Sequence, residues 1–136
     1  MKKIIAVFLV VMLAFSLCAC SKGISGKEAK QHVNEFLEKV KEEDYSAAEE
    51  YLHAERPADI QMFFEGLEQA EGVDFSTVSI KEYTGFRSSL YDSTVGGSAY
   101  TLMMKLSVSG KTAELEIELV RNENGYGIYN LDVDVA

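Results

Sequence analysis

The chain has 136 residues, with 13 Lys+Arg against 22 Asp+Glu, one Pro, two Cys and no Trp. That length suits one domain and excludes a multidomain enzyme or a long repeat array. A net charge of −9 argues against nucleic acid as a partner, because phosphate needs a basic face, and two cysteines cannot make a framework of several disulfides.

The chain opens on Lys2 and Lys3, followed by an apolar run from Ile4 to Ala19 that only Ser16 interrupts. A short basic start and an apolar stretch are the plan of an export signal. The run falls short of the roughly 18–20 residues that cross a bilayer comfortably. It ends in Leu17-Cys18-Ala19-Cys20. These four residues resemble the lipobox of bacterial lipoproteins: an aliphatic residue, a tolerant position, a small residue, then the cysteine that receives lipid. The resemblance implies that residues 1–19 are a leader cleaved before Cys20. It also implies that Cys20 carries a diacylglyceryl thioether and that the protein is anchored on the extracytoplasmic side of the cell membrane. Cys18 is the poorer acceptor, since Leu17 would then fill the small position.

Cleavage takes Lys2 and Lys3 away and moves the net charge from −9 to −11. An anionic membrane surface repels such a chain, so the lipid has to hold it. With Cys18 removed and Cys20 capped, no thiol is left and stability rests on the core. Residues 20–26 (Cys-Ser-Lys-Gly-Ile-Ser-Gly) read as the lipidated residue and a short small-residue tether, and 27–136 as one domain.

Helical periodicity fills the first half. Ser25 and Glu28 have capping-box spacing, and Ala29, Val33, Phe36, Leu37 and Val40 recur on one face. Asp44 suits the cap of a second helix with Tyr45, Ala48, Tyr51 and Leu52 inward. Pro57 suits the start of a third, with Ile60, Phe63, Phe64, Leu67 and Ala70 as its stripe and Gly72 as its stop.

Beyond Gly72 the apolar period becomes two. Four strands are expected: Val78 and Ile80; Tyr100 to Val108; Ala113 to Leu119; Tyr129 to Val135. A turn at Gly110-Lys111 would pair Val108 with Ala113, Leu106 with Leu115, Met104 with Ile117 and Leu102 with Leu119. A three-residue loop, Glu123-Asn124-Gly125, would set Leu119 against Tyr129, Ile117 against Leu131 and Leu115 against Val133. Each pairing leaves one apolar face. The expected fold is therefore α+β: about three N-terminal helices packed on a curved antiparallel sheet of four or more strands. The element order, the stretch Glu43-Asp44-Tyr45-Ser46-Ala47-Ala48 and the closing strand Gly125–Val135 resemble the nuclear-transport-factor-2-like and cystatin-like cone domains. Many members carry a Trp where this chain has Tyr126 or Tyr129.

Enzymes of that superfamily work with Asp, His or Tyr inside the cone, but the inward strand positions here are aliphatic or Tyr, so no catalytic residue carries over. An acid or base supplied by a helix, Asp59 or Glu65, is the alternative. His32 and His53 read as structural, His53 as the end of the second helix. No zinc spacing is present, and no cofactor is expected. Tyr45, Tyr51, Tyr83, Tyr100 and Tyr129 are candidates for a ligand pocket. The segment Thr84–Gly97 reads as a long loop in which Arg87, Tyr91 and Asp92 are candidate binding residues. On the outer sheet face Glu116 is expected opposite Asp132 and Glu114 opposite Asp134, with Glu118 beside them and Lys105 opposite Glu116. This stripe is a weak candidate for calcium or for a basic partner. The function implied is a non-catalytic, lipid-anchored envelope module that binds a protein or a small ligand. A small enzyme or a self-associating module is the alternative.

Overall fold

The computed structural model describes residues 23–136; the expected leader and Cys20 lie outside the described residues. Three helices, α1 (Gly26–Lys41), α2 (Tyr45–Glu49) and α3 (Ile60–Glu71), and a 3-10 turn (Phe75–Thr77) precede four strands. These are β1 (Ser79–Asp92), β2 (Gly97–Val108), β3 (Lys111–Asn122) and β4 (Gly125–Val135), which form one antiparallel sheet in the order β1-β2-β3-β4. The fold is α+β, with the helices packed on one face of an open four-stranded sheet.

Each helix starts where a side chain can satisfy its free amides. Ser25 Oγ accepts from the Glu28 amide at 3.1 Å, Asp44 Oδ1 from Ala47 at 3.3 Å and Asp59 Oδ1 from Met62 at 2.9 Å. Asp59 rather than Pro57 therefore begins α3. Gly72 closes it in the left-handed region at φ +64°. Helix α2 is a single turn, so Tyr51, Leu52 and His53 fall beyond it rather than on its inner face.

Between the layers, Phe36, Phe64 and Phe75 are fully buried. Phe64 meets Phe75 edge-on at 4.8 Å and Phe36 at 6.2 Å. They pack in one cluster with Leu102, Met104, Leu106, Leu115, Ile117 and Leu119. Burying each such ring stabilises the fold by about 1.5–3 kcal/mol.

Three strand expectations need correction. The β2–β3 turn is Ser109-Gly110 (φ 50° and 77°), not Gly110-Lys111, so Leu106 pairs with Ala113, Met104 with Leu115 and Leu102 with Ile117. The displacement is two residues, which leaves every side chain on its expected face. Ser109 tolerates its positive φ because both its polar groups are engaged. Its Oγ accepts from the Asp74 amide and its amide donates to Thr77 Oγ1, each at 2.8 Å. At the β3–β4 turn, Gly125 pairs with Asn122 and closes a two-residue loop. A bulge after it sets Leu119 against Ile128 instead of Tyr129, while Ile117–Leu131 and Leu115–Val133 pair as expected. Finally, Thr84–Gly97 is not a loop. Strand β1 runs through to Asp92 and only residues 93–96 turn. Irregularities between Ile80 and Glu82, Tyr83 and Gly85, and Ser89 and Asp92 break its alternation and hide it from a period-two reading.

Candidate functional site: the outer face of the sheet

The helices leave the other sheet face to solvent, and a groove of about 460 Å³ lies on it. Arg87 (β1), Thr101 (β2), Glu116 and Glu118 (β3) and Asn130, Leu131 and Asp132 (β4) line it. Register explains the set: Arg87 pairs with Thr101, Thr101 with Glu118, Glu118 with Asn130, and Glu116 with Asp132. Residues in register on neighbouring strands share a face. Thr101 is buried on the floor and Glu118 half-buried, while Arg87, Glu116 and Asp132 stand exposed at the walls.

The like-charged rows expected from sequence are present, with Glu116 opposite Asp132 and Glu114 opposite Asp134. Opposed carboxylates repel, and only the Glu116–Asp132 row has a local remedy among the described residues. Arg87 ion-pairs with Glu116. Lys105 lies opposite Glu114, not Glu116, and reaches Glu82 at 3.6 Å. Asn130 Nδ2 donates to Glu118 Oε1 at 2.7 Å. Glu118 and Asp132 have no cationic partner among the described residues. Among those residues no group of three or more His, Cys, Asp or Glu is placed to hold a metal ion.

The five tyrosines are dispersed. Tyr45 lies among carboxylates, where burial, then Glu68, Glu43 and Glu65, raise its phenol above the ordinary value. Tyr51 meets His32 edge-on at 5.0 Å. Tyr83 lies under Lys30 (4.6 Å), Tyr100 is stacked by Phe86 (5.6 Å) and Tyr129 lies beside His53 and Arg56. Asp92 turns the chain, its Oδ1 accepting from the Thr94 amide at 2.8 Å, while Tyr91 is exposed. Of the expected loop residues, only Arg87 reaches the groove. Asp59 and Glu65 are exposed, one capping α3 and the other accepting from Gln61 at 2.9 Å.

His53 is the residue that the sequence misplaced most. It does not end a helix; the chain from Tyr51 to His53 crosses the β4 edge instead. The Ile128 amide donates to the Tyr51 carbonyl and the His53 amide to the Ile128 carbonyl, each at 2.9 Å. His53 is 1% exposed. Its Nδ1 accepts from the Glu55 amide at 3.0 Å, which puts the proton on Nε2. From there it donates to Asn122 Oδ1 at 3.0 Å and the Gly125 carbonyl at 3.2 Å. Asn122 in turn donates to the Val95 carbonyl and to Glu55, each at 2.8 Å. The amides of Asn122 and Asn124 hold the Glu55 carboxyl below its usual range. This network pins two turns and the crossing segment, and with Val95, Ala99, Val120 and Tyr129 it closes one end of the outer face.

Helix α1 is tied to the sheet by Arg121, which ion-pairs with Glu28 and stacks over Tyr126 at 4.5 Å. The Tyr126 hydroxyl is buried without a partner. Burial, then the Glu28 charge, push its phenol from 10.0 up to about 12, against a lowering by Arg121. A folded-state pKa above the unfolded one means that stability is intact below the unfolded value and falls as pH rises through the folded one. Alkaline melts should therefore lose about 1–2 kcal/mol between pH 10.0 and about 12 through this group. Tyr126→Phe should remove that loss and leave neutral-pH stability unchanged or up to about 1 kcal/mol higher. Thermal melts of both proteins across that range are the check.

No family model matches the chain, and no curated protein or solved structure matches it. Among the described residues no helix is long and apolar enough to cross a membrane.

Proposed function

We propose that this chain is a lipid-anchored envelope module that binds a basic protein segment on the open face of its sheet. Cys20 in Leu17-Cys18-Ala19-Cys20 supplies the anchor by its resemblance to a lipobox. The observation that carries the binding half is the groove, in which the carboxylates of Glu118 and Asp132 have no cationic partner among the described residues while the floor is buried. Charge of this kind selects and steers a partner more than it adds affinity. An arginine or lysine in the groove would relieve the carboxylate repulsion that the fold carries without it. Two copies of the same face would set carboxylate against carboxylate, which disfavours self-association through it. The cone resemblance agrees with the element order and places no catalytic group.

Photo-crosslinking in intact envelopes tests the reading. A photoreactive residue at Asn130, which lines the groove, should capture one discrete protein product. One at Gln31, on the exposed side of α1, should not. Glu118→Lys combined with Asp132→Lys should reduce the product about tenfold. A product that appears equally from both positions, or that survives the charge reversal, would overturn the assignment of this face.

A further inference from the structure

The residues that lead into the described domain are not a loose tether. Ile24 is buried, Ser25 caps α1, and Gly23 lies so close to Leu90 that a Cβ there would come within 2.7 Å of Leu90 Cδ2. Gly26 meets the hydroxyl of Tyr100, whose ring is stacked by Phe86. The chain therefore enters the domain against the β1 segment that carries Phe86, Leu90 and Tyr91. These three are 65%, 79% and 70% exposed, an unusual amount of apolar surface on one short stretch.

From Gly23 back to Cys20 there are three residue steps, a reach of at most about 10 Å. An acyl-bearing Cys20 cannot stand farther than that from Gly23, which itself lies against Leu90. Basic residues lie beside this entry, although α1 also carries Lys39 and Lys41 in its last turn. Lys27 and Lys30 lie in the first turns of α1, with Glu28 between them. Glu43 follows the other end of that helix, and Asp74 bonds the β2–β3 turn. With Glu65 they surround Glu68, whose carboxyl is raised by burial first and by those charges next.

We infer that Phe86, Leu90 and Tyr91 form the face that rests in the lipid interface, so that the domain stands on this end with the C-terminal end of α1 directed outward. The occupant of the patch is the bilayer into which the Cys20 chains insert, and the inference rests on the reading that Cys20 is lipidated. Apolar and aromatic residues beside basic ones are the composition that settles at headgroup level.

The mature lipoprotein has no free thiol, so a single introduced cysteine is a unique label site. Full chains carrying Leu90→Cys or Ser79→Cys are purified from membranes and labelled with bimane. They are then placed in phosphatidylethanolamine–phosphatidylglycerol vesicles containing brominated lipid. Both positions are exposed and lie on β1, roughly 35 Å apart. Bromine should at least halve emission at position 90 and leave position 79 unchanged. Intact mass of the same samples reports the lipid on Cys20. A lipidated chain with equal quenching at the two positions, or none at position 90, would overturn the orientation while the anchor stands. A chain without lipid on Cys20 would overturn the anchor and the orientation together.

Discussion

Gly127→Ala is expected to cost about 3 kcal/mol and to lower the melting temperature by roughly 10 °C. At Gly127 the crossing segment lies directly on β4. A Cβ there would come within 2.5 Å of the His53 amide nitrogen, 2.6 Å of the Leu52 carbonyl carbon and 2.8 Å of His53 Cα. All three are backbone atoms, held by the two 2.9 Å bonds between Ile128 and residues 51 and 53. No side-chain rotation relieves that contact, so the segment has to lift. His53 would then lose its bonds to Asn122 and Gly125. The control is Gly66→Ala in the middle of α3, where nothing lies within 4 Å. Removing a helix-interior glycine should raise stability by about 0.5–1 kcal/mol. Calorimetry of the two variants should show opposite signs; equal small effects would mean that the crossing does not hold the sheet edge.

The largest functional effect is expected from Cys20→Ser. A thiol forms the stable thioether on which the proposed anchor depends, and a hydroxyl does not replace it. Each buried CH₂ of an acyl chain contributes about 0.8 kcal/mol, so two chains anchor firmly where one is marginal. The variant should lose all lipid label, keep residues 1–19 and appear with an unprocessed mass. Cys18→Ser should behave as wild type. Acyl labelling followed by electrophoresis checks both; label retained on Cys20→Ser would move the acceptor elsewhere.

The sequence was most legible where one side-chain period governed a whole element. Ala29, Val33, Phe36, Leu37 and Val40 are all buried on α1. The strand faces survived even a two-residue register error, because a shift of two preserves the alternation. The outer carboxylate rows were legible because β3 and β4 pair there in the expected register. What failed depended on long-range contact. Strand β1 is an edge strand whose irregularities interrupt its alternation, so it read as a loop, and Arg87 was assigned to that loop rather than to the sheet face. Lys105 was displaced by the same shift as the β2–β3 turn. His53 looked like a helix end, because no local pattern announces a chain that crosses a strand edge 75 residues later. One local signal did exist. Gly127 breaks an otherwise alternating strand, and a glycine inside a strand marks close backbone approach.

The proposed anchor at Cys20 is most directly tested by the intact mass of the protein extracted from membranes. A chain that begins at Cys20 and carries a diacylglyceryl group is the result this account predicts. A membrane-extracted chain that retains residues 1–19, or that begins at an unmodified Cys20, would contradict it.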